Sequence, residues 1–284
     1  MEAVVEIPSD FTQWLGRRRE SADEASAAPV RALAATFDIE TPAECPGDRL
    51  PPGWHWLYFL ATPATAALGA DGAEARGEFL PPVAGLPRRM WAGGSLTLHR
   101  PLRLGERLSR ISTVHEVTEK TGRQGRLVFA TVRHEIAGAA GPALTEDYSV
   151  VFRPAARPGE AAPPPAAPQD AVWQRRVTPD PMLLFRFSAL TFNSHRIHYD
   201  QPYATGVEGY PGLVVHGPLQ AMLLLELARQ SEPERPIRRF ACRAQAPIFA
   251  TGPFTVNGRP EGDQARLWTA GGDGHLGMTA TVEY

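Results

Sequence analysis

The sequence predicts an α+β fold built twice over, and three observations carry that expectation. In each half an apolar helical segment comes early and a run of short β-rich segments follows, the order of an antiparallel meander. Residues 154–168, PAARPGEAAPPPAAP, form a Pro/Ala run that cannot pack a core and favours extended polyproline conformations. The chain of 284 residues is too long for one small domain and suits two. The expected organisation is a unit over residues 1–153, a linker over 154–170 and a second unit over 171–284.

The N-terminal unit opens with helical signals. Ser9 or Asp10 is placed to cap a helix through FTQWLG, and VRALAATFDI carries helical spacing. GWHWLYFLATPATAALG is strongly apolar and contains proline, which predicts a buried helix with irregular ends. Ile111–Val117 and Leu127–Ile136 are β-rich runs separated by the turn-forming TGRQG, as in a hairpin. Tyr148–Arg153 reads as a further strand. In the C-terminal unit PLQAMLLLELAR predicts an apolar helix. FACRAQAPIF, FTVNGR, ARLWTAG and MTATVEY read as strands, bounded by Thr-Gly-Pro, Asn-Gly and Gly-Gly-Asp-Gly turns.

Composition narrows the function classes. The 29 basic and 31 acidic residues leave a formal charge of -2, which argues against a general nucleic-acid or anionic-membrane binder. Two cysteines, Cys45 and Cys242, make no disulfide framework and cannot supply a four-thiolate zinc site. The first twenty residues lack the positive-then-apolar order of a secretory signal, and no apolar stretch reaches the ~18–20 residues of a membrane span. A cytoplasmic setting is expected.

The densest polar constellation is TFNSHRIHYD at Thr191–Asp200. As a bare segment it reads as a polar loop before a helix. What raises it is its neighbour, GLVVHGPLQAMLLLELAR, an apolar run leading into a buried helix. Pro218 suits the first helical turn. The N–H of Gly217 would then lie at the positive end of the helix dipole, where glycine lets a ligand carbonyl approach the backbone. That is a candidate oxyanion site for an enolate.

These residues resemble the MaoC-like, type-2 enoyl-CoA hydratases. Their motif has the form D-x-N-P-x-H-x-D with an alanine a few residues on, followed by an apolar-H-G segment that opens the long helix of a hotdog fold. NSHRIHYDQPYA and LVVHGPL match it here. By the resemblance His198 is the catalytic histidine, Asp200 the downstream aspartate, Ala204 the alanine, and Gly217 the glycine whose N–H binds the thioester carbonyl. Asn193 stands where the usual catalytic aspartate would be, His195 replaces the asparagine and Arg196 the proline. This variant, with LPPGWHWLYFL, GEFLPPVAGLPRRMWAGG and GRLVFATVRHE in the first half, resembles a narrower branch. That branch holds mitochondrial-type 3-hydroxyacyl-thioester dehydratases and bacterial mesaconyl-C4-CoA (3-methylfumaryl-CoA) and itaconyl-CoA hydratases. The resemblance implies a double hotdog, two repeats each with a long helix wrapped by an antiparallel sheet. It implies reversible addition of water to a 2-enoyl-CoA, with CoA as part of the substrate, no cofactor and no metal. A homodimer is compatible with it.

Hydration needs a base for the water, a proton donor at Cα and support for the enolate. His198 titrates near neutral pH and is the expected acid-base group. Asn193 is no base but can hold the water. Arg196 is either a surface charge or a partner for a CoA phosphate or substrate carboxylate. Arg88, Arg89 and Trp91 form a basic-aromatic patch, either a loop tying the halves together or a contact for CoA or the acyl tail. His195 is a further substrate candidate. His216 is expected to bond locally at the helix start, and Tyr199 and Tyr203 to pack. Three rivals share the fold. They are an acyl-thioester hydrolase, a non-catalytic acyl-CoA binder, and a dehydratase of fatty-acid or polyketide synthesis acting on carrier-protein thioesters.

Overall fold

The computed structural model describes residues 11–73, 79–122, 125–154 and 163–284. Ser9, Asp10 and residues 155–162 of the expected linker lie outside them. Ten strands form one antiparallel sheet. The N-terminal half supplies β1 (Arg18–Glu24), β2 (Arg88–Leu98), β3 (Arg107–Gly122), β4 (Gly125–Gly138) and β5 (Gly141–Arg153). The C-terminal half supplies β6 (Trp173–Val177), β7 (Arg239–Ala244), β8 (Phe254–Glu261), β9 (Gln264–Ala270) and β10 (Leu276–Glu283). The spatial order is β1-β3-β4-β5-β2-β7-β10-β9-β8-β6. Outward from the centre each half therefore runs second, fifth, fourth, third, first strand. That identity of order makes the fold a duplication even though the two halves share few letters.

The halves join where β2 pairs with β7, from Gly93 opposite Arg243 to Thr97 opposite Arg239. A register shift between Trp91 and Gly93 marks a bulge there, and Gly93 sits at φ +128°. A Cβ on Gly93 would collide with the Cys242 carbonyl, and one on Gly94 with the Asp147 carbonyl. Only glycine permits that approach of three backbones. LPRRMWAGG thus ties the halves together as a central strand rather than as a loop.

Helices fill one side of the sheet. These are α1 (Ala27–Phe37), α2 (Pro181–Leu190), the short α3 (Gln201–Gly206) and α4 (Gly217–Ser231). Every residue of α4 from Leu219 to Ala228 is buried, as expected for a helix that is apolar nearly all round. Each large aliphatic side chain there contributes about 1.5–3 kcal/mol through burial. Its two buried polar side chains are satisfied: Gln220 Oε1 accepts from Thr269 Oγ1 at 2.8 Å, and Glu226 takes Arg229 and Gln230. α4 packs on β6 through β10.

GWHWLYFLATPATAALG does not form the expected helix. It makes two short 3-10 turns, Trp54–Leu57 and Thr65–Ala67. Gly53 at φ +83° breaks the chain direction, and a Cβ there would meet Leu225 Cδ1 of α4 at 2.6 Å. The apolar character was read correctly; Trp54, Leu57, Tyr58 and Phe59 are buried, but around a turn. FTQWLG shrinks to a 3-10 turn at Thr12–Trp14. β1, β6 and α2 had no expectation attached. α2 did carry a signal, since Asp180 caps it by accepting from Leu183 N–H at 2.8 Å and Pro181 opens it. No helix among the described residues is long and apolar enough to cross a membrane.

Candidate active site

The polar loop is set by the end of α2. Thr191 caps that helix, Phe192 follows at φ +49°, and two bonds close the turn: Phe192 N–H to Ala189 O at 3.3 Å and Asn193 N–H to Ser188 O at 2.8 Å. This is a Schellman ending, whose left-handed position usually holds glycine. A phenylalanine there costs about 1–3 kcal/mol, a strain of the kind found at functional loops. It turns the chain so that Asn193 Oδ1 accepts the His195 N–H at 3.0 Å. A backbone N–H can only donate, so this bond assigns the amide oxygen and leaves the NH₂ as a donor.

A single 3-10 turn, Arg196–His198, follows. Residues of the N-terminal half clasp it. Ser194 Oγ donates to Gly72 O at 2.6 Å, Arg196 N–H to Asp71 O at 2.8 Å, and Arg196 Nη1 to Ala70 O at 3.1 Å. Arg196 also places Nε and Nη2 on Asp200 Oδ2 at 3.0 and 2.7 Å, and its guanidinium lies 4.1 Å from the Tyr203 ring centre. Its fork is therefore spent on bracing the loop. Asp200 uses its other oxygen to cap α3, accepting from Tyr203 N–H at 3.0 Å. Tyr203 packs as expected; Tyr199 instead stands exposed.

His198 is buried at the end of that turn. Its Nδ1 lies 2.7 Å from Val214 O. The carbonyl can only accept, so Nδ1 carries the proton and Nε2 of the neutral ring has a free lone pair. His198 does not titrate near neutral pH as expected: burial, ahead of the Val214 bond that opposes it, pushes its pKa down to about 3. The ring stacks on His216 at 3.7 Å between centres and meets the His195 ring edge-on at 5.5 Å. Burial lowers His195 and His216 as well. His216 does not bond locally at the helix start as expected; its Nε2 lies 2.8 Å from Ser188 Oγ on α2, a partner 28 residues away.

His216 is the residue before α4, so the His198 ring lies at the N-terminus of that helix. Gly217 N–H has no hydrogen-bond partner among the described residues. On the other side of Gly217 stands Trp91; a Cβ would meet its Cε3 at 2.5 Å. β2 thus brings Arg88, Arg89 and Trp91 to the site. Arg88 is committed to the Glu208 carboxylate at 2.8 Å and the Glu208 carbonyl at 2.8 Å. Arg89 is half-buried and has no ion pair or hydrogen bond among the described residues. The clasp at residues 70–72, Ser188 and Tyr148 were missed by sequence reasoning, because nothing local marks a loop or strand residue as facing a distant site.

A duplicated antiparallel sheet on a buried helix, with a neutral histidine presented at that helix's N-terminus, defines a double hotdog hydratase or dehydratase. The model of the family hydroxyacyl-thioester dehydratase type 2 matches residues 53–250. The chain is 46% identical over 277 residues to the mesaconyl-C(4)-CoA hydratase of Chloroflexus aurantiacus, covering 97% of this chain and 98% of that one. Among solved structures, a MaoC-like dehydratase matches with a TM-score of 0.69 at 15% identity, over 96% of this chain and 99% of that one. A Mycobacterium tuberculosis protein described as a double hotdog matches with a TM-score of 0.55 at 13% identity, over 95% and 96%. These two likenesses speak for the fold alone. The chain belongs to the hydroxyacyl-thioester dehydratase type 2 family and is a carbon–oxygen lyase of the hydratase/dehydratase class.

Proposed function

We propose that the chain hydrates a C5 dicarboxylyl-CoA, with mesaconyl-C4-CoA (3-methylfumaryl-CoA) as its preferred substrate and itaconyl-CoA as the second candidate. The near full-length 46% identity to a mesaconyl-C(4)-CoA hydratase carries this reading. The site supports it chemically. His198 Nε2 takes a proton from water while the Asn193 NH₂ donates to the water oxygen and holds it. The oxygen forms a bond to Cβ, and the double-bond electrons move to the thioester as an enolate. Gly217 N–H and the positive end of α4 receive that oxygen. His198, now protonated, returns the proton to Cα. Water is added across the bond with no change in oxidation state, so histidine suffices and no cofactor is called for.

Desolvation suits this cycle. A buried neutral His198 is present as base at every physiological pH. The stack on His216 fixes the plane of its ring. The clasp from the N-terminal half ties this catalytic loop to the half that lines the other wall, which supports one site shared by two units.

The test is turnover of the purified chain on a panel: mesaconyl-C4-CoA, itaconyl-CoA, crotonyl-CoA, a long straight-chain enoyl-CoA and a carrier-protein thioester. The expected result is the highest kcat/KM on mesaconyl-C4-CoA. Preference for the long straight chain overturns the acyl assignment and leaves the hydratase. Preference for the carrier-protein thioester favours the fatty-acid or polyketide reading, and release of free CoA favours a hydrolase.

A further inference from the structure

One patch on the inner face of the N-terminal sheet carries donors that the chain itself does not satisfy. Arg89 lies directly opposite Phe152, and Trp91 opposite Val150. Directly opposed residues of an antiparallel pair point to the same side. Tyr148, Val150 and Phe152 alternate along β5 and share that side. Arg89, Trp91 and Tyr148 therefore converge on one face. The Trp91 and Tyr148 ring centres are 6.4 Å apart, and Trp91 touches Gly217. The patch thus borders the proposed thioester site.

All three side chains lack an acceptor. Trp91 Nε1 is buried with no hydrogen-bond partner. Neither the Arg89 guanidinium nor the Tyr148 hydroxyl has one among the described residues. The neighbouring arginines differ. Arg88 holds Glu208, Arg110 holds Ser21 and the Phe59 carbonyl, and Arg133 holds Asp147 through both nitrogens. A buried donor without a partner is costly, and Trp91 Nε1 is one; with the half-buried Arg89 guanidinium and Tyr148 hydroxyl beside it on the same face, the patch suits an anion. Beside the patch Val83, Leu86, Val150 and Phe152 pack into a buried apolar cluster. Burial raises the Tyr148 pKa, which keeps its hydroxyl protonated as a donor, and the Arg89 charge acts on both Tyr148 and His195. Trp91 against Gly217 puts the patch beside the His216–His198 stack.

We infer that Arg89, Tyr148 and the Trp91 indole N–H form the receptor for the free carboxylate of the acyl group. The inference rests on the dicarboxylyl reading above and names the residues that would select it. In mesaconyl-C4-CoA the carboxylate is attached to the carbon that accepts water. A receptor beside Trp91 and Gly217 would fix that carbon as well as choose it. The arginine fork takes a carboxylate with two parallel bonds, a geometry that lysine does not reproduce.

The experiment measures binding of two saturated esters, succinyl-CoA and butyryl-CoA, by calorimetry, beside turnover of mesaconyl-C4-CoA. The wild type should prefer succinyl-CoA by on the order of tenfold or more, the scale of hydrogen bonds to a charged group. Arg89→Gln should collapse the preference towards unity, Arg89→Lys should restore only part of it, and Tyr148→Phe should lower it about threefold to tenfold. Tyr148→Phe removes one oxygen only and keeps the inference testable if an arginine variant misfolds. A preference unchanged in every variant overturns the receptor. So does equal weakening of both esters, which would assign these residues to the shared CoA portion. A wild type that prefers succinyl-CoA but does not turn over mesaconyl-C4-CoA overturns the substrate reading while the receptor stands.

Discussion

The two halves of the sheet have the same strand order and opposite contents. In the C-terminal half the space over the strands is filled by α4, and its polar groups concentrate in one loop that ends at His198. The N-terminal half departs from the expected long helix in each repeat: between α1 and β2 its described residues form only the short 3-10 turns Trp54–Leu57 and Thr65–Ala67. There the sheet carries an internal polar network. His55 Nε2 lies 3.3 Å from Glu146 Oε2, Trp56 Nε1 donates to Glu146 Oε1 at 2.8 Å, and Ser112 Oγ lies 2.8 Å from His134 Nδ1. Both halves bury histidines, but to different ends. His198 keeps an open nitrogen, whereas His55 is closed onto a carboxylate. The two cradles thus differ in content: one holds the long helix and the polar loop, the other a buried polar network.

Substitutions can break this contrast, and the largest effect is expected at His198, the proposed base. His198→Ala should lower kcat by about 10²–10⁴-fold while the circular dichroism spectrum is retained. Turnover is followed by loss of the enoyl-thioester absorbance, and near-normal kcat would remove His198 from the mechanism.

The counterpart change in the other half should act on stability. His55→Ala leaves Glu146 buried with half its partners, a defect worth about 3–5 kcal/mol. Burial opposes the charge on Glu146, while the His55 bond leads the contacts that hold its pKa below the ordinary value. Denaturant unfolding should show the loss. An unchanged midpoint would mean that the network is not holding the wall.

The clasp between the halves comes next. Gly72 sits at φ +79°, and a Cβ would run into the Ser194 carbonyl. Gly72→Ala should cost about 1–3 kcal/mol and should also lower kcat, because the strained contact bears on the turn that ends at His198. Stability lost with kcat intact would make the clasp purely structural.

The last contrast is in pH. An unfolded histidine titrates near 6.5, whereas burial pushes folded His198 to about 3 and His134 to about 4. The folded chain binds fewer protons, so stability is full above about pH 6.5 and falls as pH drops towards 4. The slope is about 1.4 kcal/mol per pH unit for each group. Urea melts between pH 7.5 and 4.5 test this. For the same reason kcat/KM should show no acid limb near 6.5. A limb there would mean that His198 is solvated.

How much was legible from sequence differs between the halves for a physical reason. TFNSHRIHYD and LVVHGPL hold their chemistry within short windows. Asp200 caps α3 through the Tyr203 N–H three residues on, Asn193 orients the backbone of His195, and Gly217 opens α4; each acts within a few residues. The meander strands were legible because period-two burial and turn residues are local too. GWHWLYFLATPATAALG was misread because apolar content alone does not separate a buried turn from a buried helix. Gly53 and the packing of Leu225 made it a turn.

By itself the sequence determined the duplicated α+β plan, the polar loop at Thr191–Asp200 and the helix that faces it, since capping, turn chemistry and hydrophobic period act within a few residues. Tertiary structure decided which arginine is free. Arg88, Arg89 and Arg196 are alike as letters, but Arg88 meets Glu208 120 residues away and Arg196 meets Asp200 and the Ala70 carbonyl. Arg89 alone of the three is left without an acceptor among the described residues. An ion pair depends on where the fold brings its partner, and that distance is not written along the chain.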